Sequence, residues 1–119
     1  MEKSAELHLT LPELAPWSPS GLYQAALLEH QCLSLPHWRL DRSTGIDRLF
    51  RQWETPDFAA AARLAARLAE LAEAVQHHPE ITIGWGFIRV CWYTRDLGGV
   101  HENDLRLAHA TEQLFTRHL

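Results

Sequence analysis

TPDFAAAARLAARLAELAEAVQHHP, running from Thr55 to Pro79, is a helix with both of its ends written into it. Thr55-Pro56-Asp57 is a start signal, because Thr or Asp caps free amides and proline tolerates the first helical position. Phe58, Ala61, Ala65, Leu68, Ala72 and Val75 then recur at steps of three and four. Leu64 and Leu71 widen this apolar stripe, while Arg63, Arg67 and Glu70 lie off it. Pro79 ends the helix, which puts His77 and His78 in its last turn.

A helix this amphipathic needs an apolar surface to lie on, and segments of period two on either side supply one. Upstream, Trp38 to Asp41 and Ile46 to Trp53 read as two strands about a Ser43-Thr44-Gly45 turn, a hairpin pattern. Downstream, Ile81 to Trp85 and Ile88 to Thr94 read as strands joined around Gly86-Phe87. Ile88, Val90 and Trp92 face one way there, and Arg89, Cys91 and Tyr93 the other. After a Gly98-Gly99 turn, Glu102 to about His118 predicts a last helix, with Glu102 and Asp104 suited to its N-terminal dipole. A first helix is expected from Ser20 to about Leu33, apolar at Leu22, Ala25, Ala26, Leu28 and Leu33, with Pro36 beyond its end. The order predicts an α+β fold in two layers, a four-stranded, mostly antiparallel sheet with three helices on one face. The other face then needs water or a partner, so a homodimer or tetramer is expected. Residues 1–20, with Pro12, Pro16 and Pro19, read as an irregular arm ahead of a domain spanning 21–119. Apolar Leu7, Leu9, Leu11, Leu14 and Trp17 in that arm need a surface to sit on.

The 119 residues suffice for one core, and 46% hydrophobic with 22% charged content is ordinary for a globular domain. Fifteen acidic residues against eleven basic ones give a net charge of −4, which argues against a nucleic-acid partner. No apolar run approaches the roughly 18 residues of a membrane span, and no signal peptide is evident, so a cytoplasmic location is the expectation. Cys32 and Cys91 make no disulfide framework, and Cys91 on its strand is expected to be buried rather than nucleophilic. Neither a Gly-rich phosphate loop nor a serine-nucleophile motif is present.

Eight histidines and five tryptophans are many for this length, and both residue types suit a planar ligand. The group with chemical promise is Glu73, His77 and His78. Glu73 and His77 are four apart, so on a helix they share a face and the carboxylate would orient the imidazole. His78 points elsewhere, so two imidazoles could flank one cavity, one giving a proton and the other taking it. The bland alternative is that both merely cap the helix end. Adjacent histidines without a nearby cysteine or aspartate pair do not meet zinc's need for three or four ligands, so no metal is expected. His101, His109 and His118 read as surface or interface residues.

Leu49-Phe50-Arg51-Gln52-Trp53, Asp57-Phe58 and Glu73-x-x-x-His77-His78-Pro79-Glu80 together resemble the pterin-4a-carbinolamine dehydratase family. The resemblance continues through Trp85, Val90, Thr94, Gly99, Glu102, Asp104, Leu107 and Ala108 and covers about residues 38–115. It implies the α+β layout derived above, assembly into dimers or tetramers, and dehydration of a 4a-hydroxytetrahydropterin such as 4a-hydroxytetrahydrobiopterin. It implies pterin as substrate or vestigial ligand rather than a resident cofactor. His77 and His78 resemble the family's catalytic pair, Glu73 its supporting acid, and Trp38 an aromatic residue near the pterin. The family places a third histidine in a Thr-His step after the second long strand, where this chain has Thr94-Arg95. Arginine holds an oxygen by hydrogen bonds but does not trade protons near pH 7. The replacement and the arm resemble a branch encoded with α-carboxysome genes, which implies a degenerate site and an assembly-factor or chaperone role for RuBisCO, with carboxysome association. The alternative is an active dehydratase using His77 and His78, with Arg95 holding the substrate hydroxyl.

Overall fold

The computed structural model describes residues 11–22 and 34–118. Its strands are β1 (Arg39–Asp41), β2 (Arg48–Glu54), β3 (Glu80–Gly84) and β4 (Phe87–Trp92), and its helices are α1 (Phe58–Val75) and α2 (Glu102–His118). The sheet order is β1-β2-β4-β3 and every pairing is antiparallel, so the sheet is wholly rather than mostly antiparallel. With β4 between them, β2 and β3 run the same way, and α1 is the crossover that joins them. Of the three helices expected, two fall among the described residues. The helix read from Ser20 to Leu33 lies largely on residues 23–33, outside them, and Pro19–Gly21 is a short 3-10 turn.

Alternation along the strands sends Leu49, Trp53, Ile88, Val90 and Trp92 inward, beneath Leu64, Leu68 and Leu71 of α1 and Leu107, Ala108 and Phe115 of α2. The buried row of α1 is narrower than its sequence stripe. Ala61, Leu64, Leu68, Leu71 and Ala72 are buried, whereas at 3.6 residues per turn Phe58 falls to one side and stays exposed. Asp57 caps α1 by accepting from the Ala60 amide at 2.8 Å, and α2 has the limits its sequence predicted. The strands sit a residue or two from their expected frames. β4 ends at Trp92, not Thr94, because Thr94 bridges Gly99 around a 3-10 turn of Arg95–Leu97.

The end of α1 departs most from expectation. The helix stops at Val75, and Gln76 turns left-handed at φ 56° and ψ 40°, its amide on the Ala72 carbonyl. A left-handed non-glycine residue costs about 1 kcal/mol, partly offset here because the Gln76 side chain donates to the otherwise open Glu73 carbonyl at 2.6 Å. His77 and His78 therefore lie past the helix, not in its last turn. No helix among the described residues is long and apolar enough to cross a membrane.

The outer face of the sheet carries Arg48, Phe50, Gln52, Arg89 and Cys91. Cys91 stands opposite Phe50 and Glu80 in the register and is buried. Burial pushes its thiol up to about 11, with Arg48 pulling the other way. In a Cys32→Ser background at pH 8, alkylation of Cys91 is expected to run on the order of 10² slower in the folded protein than in urea, because only the thiolate reacts. Equal rates would show that the fold does not shield it. The same raised value means that stability falls as pH climbs from about 8.5 toward 11, where the unfolded thiol ionises first.

Candidate active site

Three elements meet where α1 ends: the turn after Gln76, the Thr94–Asp96 corner after β4, and the first turn of α2. His101 stands just before α2 and its ring Nδ1 accepts from the Asn103 amide at 3.0 Å, while Asp104 reaches back to the His101 amide at 2.9 Å. This resembles a capping box, with a histidine cap that serves the second amide of the helix rather than the third. It fixes Asp104, which is fully buried. The same Oδ2 accepts from the Thr94 hydroxyl at 2.7 Å, and Oδ1 lies 2.8 Å from His77 Nε2. An ionised carboxylate only accepts, so His77 carries its proton on Nε2 and presents Nδ1 as its basic nitrogen. The His77 ring is stacked 5.7 Å from Trp92 and lies 4.4 Å from Trp17.

His78 takes Glu73: Nε2 to Oε2 is 2.5 Å, with the side chains 54% and 70% exposed. Both histidines line a pocket of about 300 Å³ with Gln76, Glu80, Tyr93, Thr94, Arg95 and Asp96. Arg95 donates to the Tyr93 hydroxyl at 2.8 Å, and that hydroxyl donates to Glu80 at 2.6 Å. Glu80 also receives Arg48, which pairs with Asp41 at 2.9 Å. The Ser43 hydroxyl and amide, then Arg48, hold the Asp41 carboxyl well below the usual carboxylate range.

Residues 22–114 match the family model described as Pterin 4 alpha carbinolamine dehydratase. This chain belongs to that family. Among relatives of this dehydratase-family chain, a Chlorobaculum tepidum protein assigned by name to pterin-4-alpha-carbinolamine dehydratase is 40% identical over 87 residues, 73% of this chain and 78% of its own length. A Hahella chejuensis protein of the same name is 33% identical over 90 residues, 76% and 80% of the two chains. In fold, the chain is similar to the crystal structure of a transcriptional coactivator/pterin dehydratase from Brucella melitensis. That similarity has a TM-score of 0.70 at 24% identity and covers 78% of this chain and 97% of the other.

Of the residues read from the sequence, the pocket brings together His77, His78 and Arg95, with Glu73 attached through His78. The expected Glu73–His77 pair does not form. The left-handed Gln76 swings His77 off the helix face toward α2, and Asp104 takes it instead. Trp38 is not at the pocket: it is buried under α2, its Nε1 donating to Glu112 at 2.7 Å and its ring edge-on to Trp53. His101, read as a surface or interface residue, is fully buried within the chain. Asp104 was legible as a favourable charge at a helix start and as one position of the family resemblance, but not as the partner of His77. Trp17 and Tyr93 carried no sequence signal as site residues, and Glu80 stood only as the last position of the His77-His78 motif.

Proposed function

We propose that this chain is a working pterin-4a-carbinolamine dehydratase. The observation that carries the reading is His77 fixed through Nε2 by a fully buried carboxylate at the wall of a pocket that holds a second imidazole. Removing water from a 4a-hydroxytetrahydropterin breaks the C4a–O bond. The hydroxyl gains a proton to leave as water, and a ring N–H gives one up, leaving the quinonoid dihydropterin. In this scheme His77 Nδ1 takes a proton, His78 with Glu73 behind it gives one, and Arg95 holds the departing oxygen. A positioned acid or base contributes about 10²–10⁴ in rate, so two histidines suffice for useful catalysis without a third. Pterin is the substrate in this scheme, and no metal or resident cofactor takes part. A homodimer or tetramer remains part of the proposal.

The assembly-factor reading drew on Arg95 and on an apolar arm in need of a surface. Leu14 packs against the core and Trp17 lies on His77 and His101, so these two find that surface within the chain. Leu7 and Leu9 lie outside the described residues. The test is stopped-flow dehydration of a 4a-carbinolamine with and without the protein. Catalytic protein is expected to speed the reaction well above the spontaneous rate. Background-level dehydration at stoichiometric protein would sink the proposal and leave Arg95 as the mark of a degenerate site, with binding to RuBisCO subunits the next measurement.

A further inference from the structure

Trp17 lies in the arm, before the family match begins at Leu22, and is 40% exposed although it is one of the largest apolar side chains. The chain is tied down on both sides of it. Ahead of it, the Ala15 amide donates to the side chain of fully buried Asn103 at 2.7 Å, and that side chain returns a hydrogen bond to the Ala15 carbonyl at 2.8 Å. Arg106 donates to the Glu13 carbonyl at 3.0 Å. After it, Leu22 bridges His101, and Gly21 presses so close that a Cβ there would stand 2.2 Å from His101 Nε2. Only glycine lets the backbone approach the imidazole this way. That Nε2 is buried without a partner, closed over by the strap. Between these anchors the indole spreads over two imidazoles, at 4.4 Å from His77 and 4.9 Å from His101.

We infer that the arm is a strap whose Trp17 is a positioning residue for His77. Asp104 holds one nitrogen of that ring, and a ring held by one hydrogen bond can still swing about it. Trp92 meets the ring on one side and Trp17 packs against it as well, so the indoles limit the swing and hold the ring where it lines the pocket. Small misplacements of a reacting group cost rate steeply, about 10²-fold for 1 Å.

The inference rests on the dehydratase reading for its kinetic readout only. Trp17→Leu keeps apolar cover and removes the flat π face, and Trp17→Phe restores a ring. In Trp17→Leu the His77 ring-proton NMR resonance is expected to move downfield as the indole ring current is lost. The kcat should fall about tenfold, with KM nearly unchanged. Trp17→Phe should recover most of both. An unmoved resonance in Trp17→Leu would overturn the inference, as would a moved resonance with kcat intact. A wild-type protein that does not speed dehydration removes the dehydratase reading alone, and the nuclear Overhauser contact between the His77 and Trp92 rings, expected to weaken in Trp17→Leu and to return in Trp17→Phe, then decides whether Trp17 holds His77.

Discussion

Asp104→Asn is expected to lose about 2–4 kcal/mol of stability, and about 10²-fold or more of dehydration rate with it. The carboxylate accepts from the Thr94 hydroxyl, the His101 amide and His77, all within 2.9 Å, and it is fully buried. An amide keeps one accepting oxygen. If that oxygen replaces Oδ2, the new NH₂ faces His77 Nε2, which must give up its proton and carry it on Nδ1 instead. Nδ1 then no longer accepts. Forcing the wrong tautomer on a catalytic histidine has cost about 10⁴-fold in a serine protease. If the oxygen replaces Oδ1, the NH₂ meets the His101 amide, a buried donor left unsatisfied at a cost of about 1–3 kcal/mol. Neither orientation serves all three partners. The control is Glu73→Gln, whose pair with His78 is largely exposed and should change stability by under about 1 kcal/mol. Urea unfolding of both variants checks the contrast. Equal stabilities for Asp104→Asn and wild type would mean that Asp104 does not organise the corner.

The contrast between these two carboxylates also marks how far the sequence can be read. Periodicity reports what shares a face within one element, and it placed the body of α1, the limits of α2 and the shared face of Ile88, Val90 and Trp92 on β4 closely. It says nothing about direction once an element ends. Pro79 announced that the helix stops, but the turn that follows depends on Gln76 entering a left-handed conformation that glycine usually supplies. One residue in that state reassigns His77 from Glu73 to Asp104. The same limit applies to Trp38. An aromatic ahead of a strand reads equally well as pocket wall or as core, and its hydrogen bond to Glu112, 74 residues away, chooses the core. Trp17 was visible as an apolar residue in need of a surface. That the surface would be two imidazoles depends on Gly21 and Asn103, whose roles are tertiary and leave no local pattern. His77 and His78 were found as two imidazoles at one helix end, whereas Arg95 was found only because the family's motif sits in chain order.

His77→Ala is expected to lower kcat for carbinolamine dehydration by about 10²–10⁴ while leaving the fold intact. The loss should fall on kcat because the group is needed when the proton moves, and a partner used only in the transition state lowers kcat and kcat/KM together. Stability should change little by comparison with Asp104→Asn. Alanine removes the ring and leaves Asp104 its two other donors, Thr94 and the His101 amide. Arg95→His in the same assay separates the two readings of this pocket. Arg95 reaches its wall tied to Tyr93 and, at 3.8 Å, to Glu80, so its charge is partly spoken for by neighbours. If Arg95 holds the departing oxygen, exchanging it for a shorter imidazole lowers the rate severalfold. If the pocket has lost its chemistry for want of a third proton carrier, the wild type runs at background and Arg95→His gains activity that His77→Ala abolishes. The first pattern places catalysis on the His77–Asp104 pair. The second would mean that the buried carboxylate still organises a corner whose reaction has lapsed.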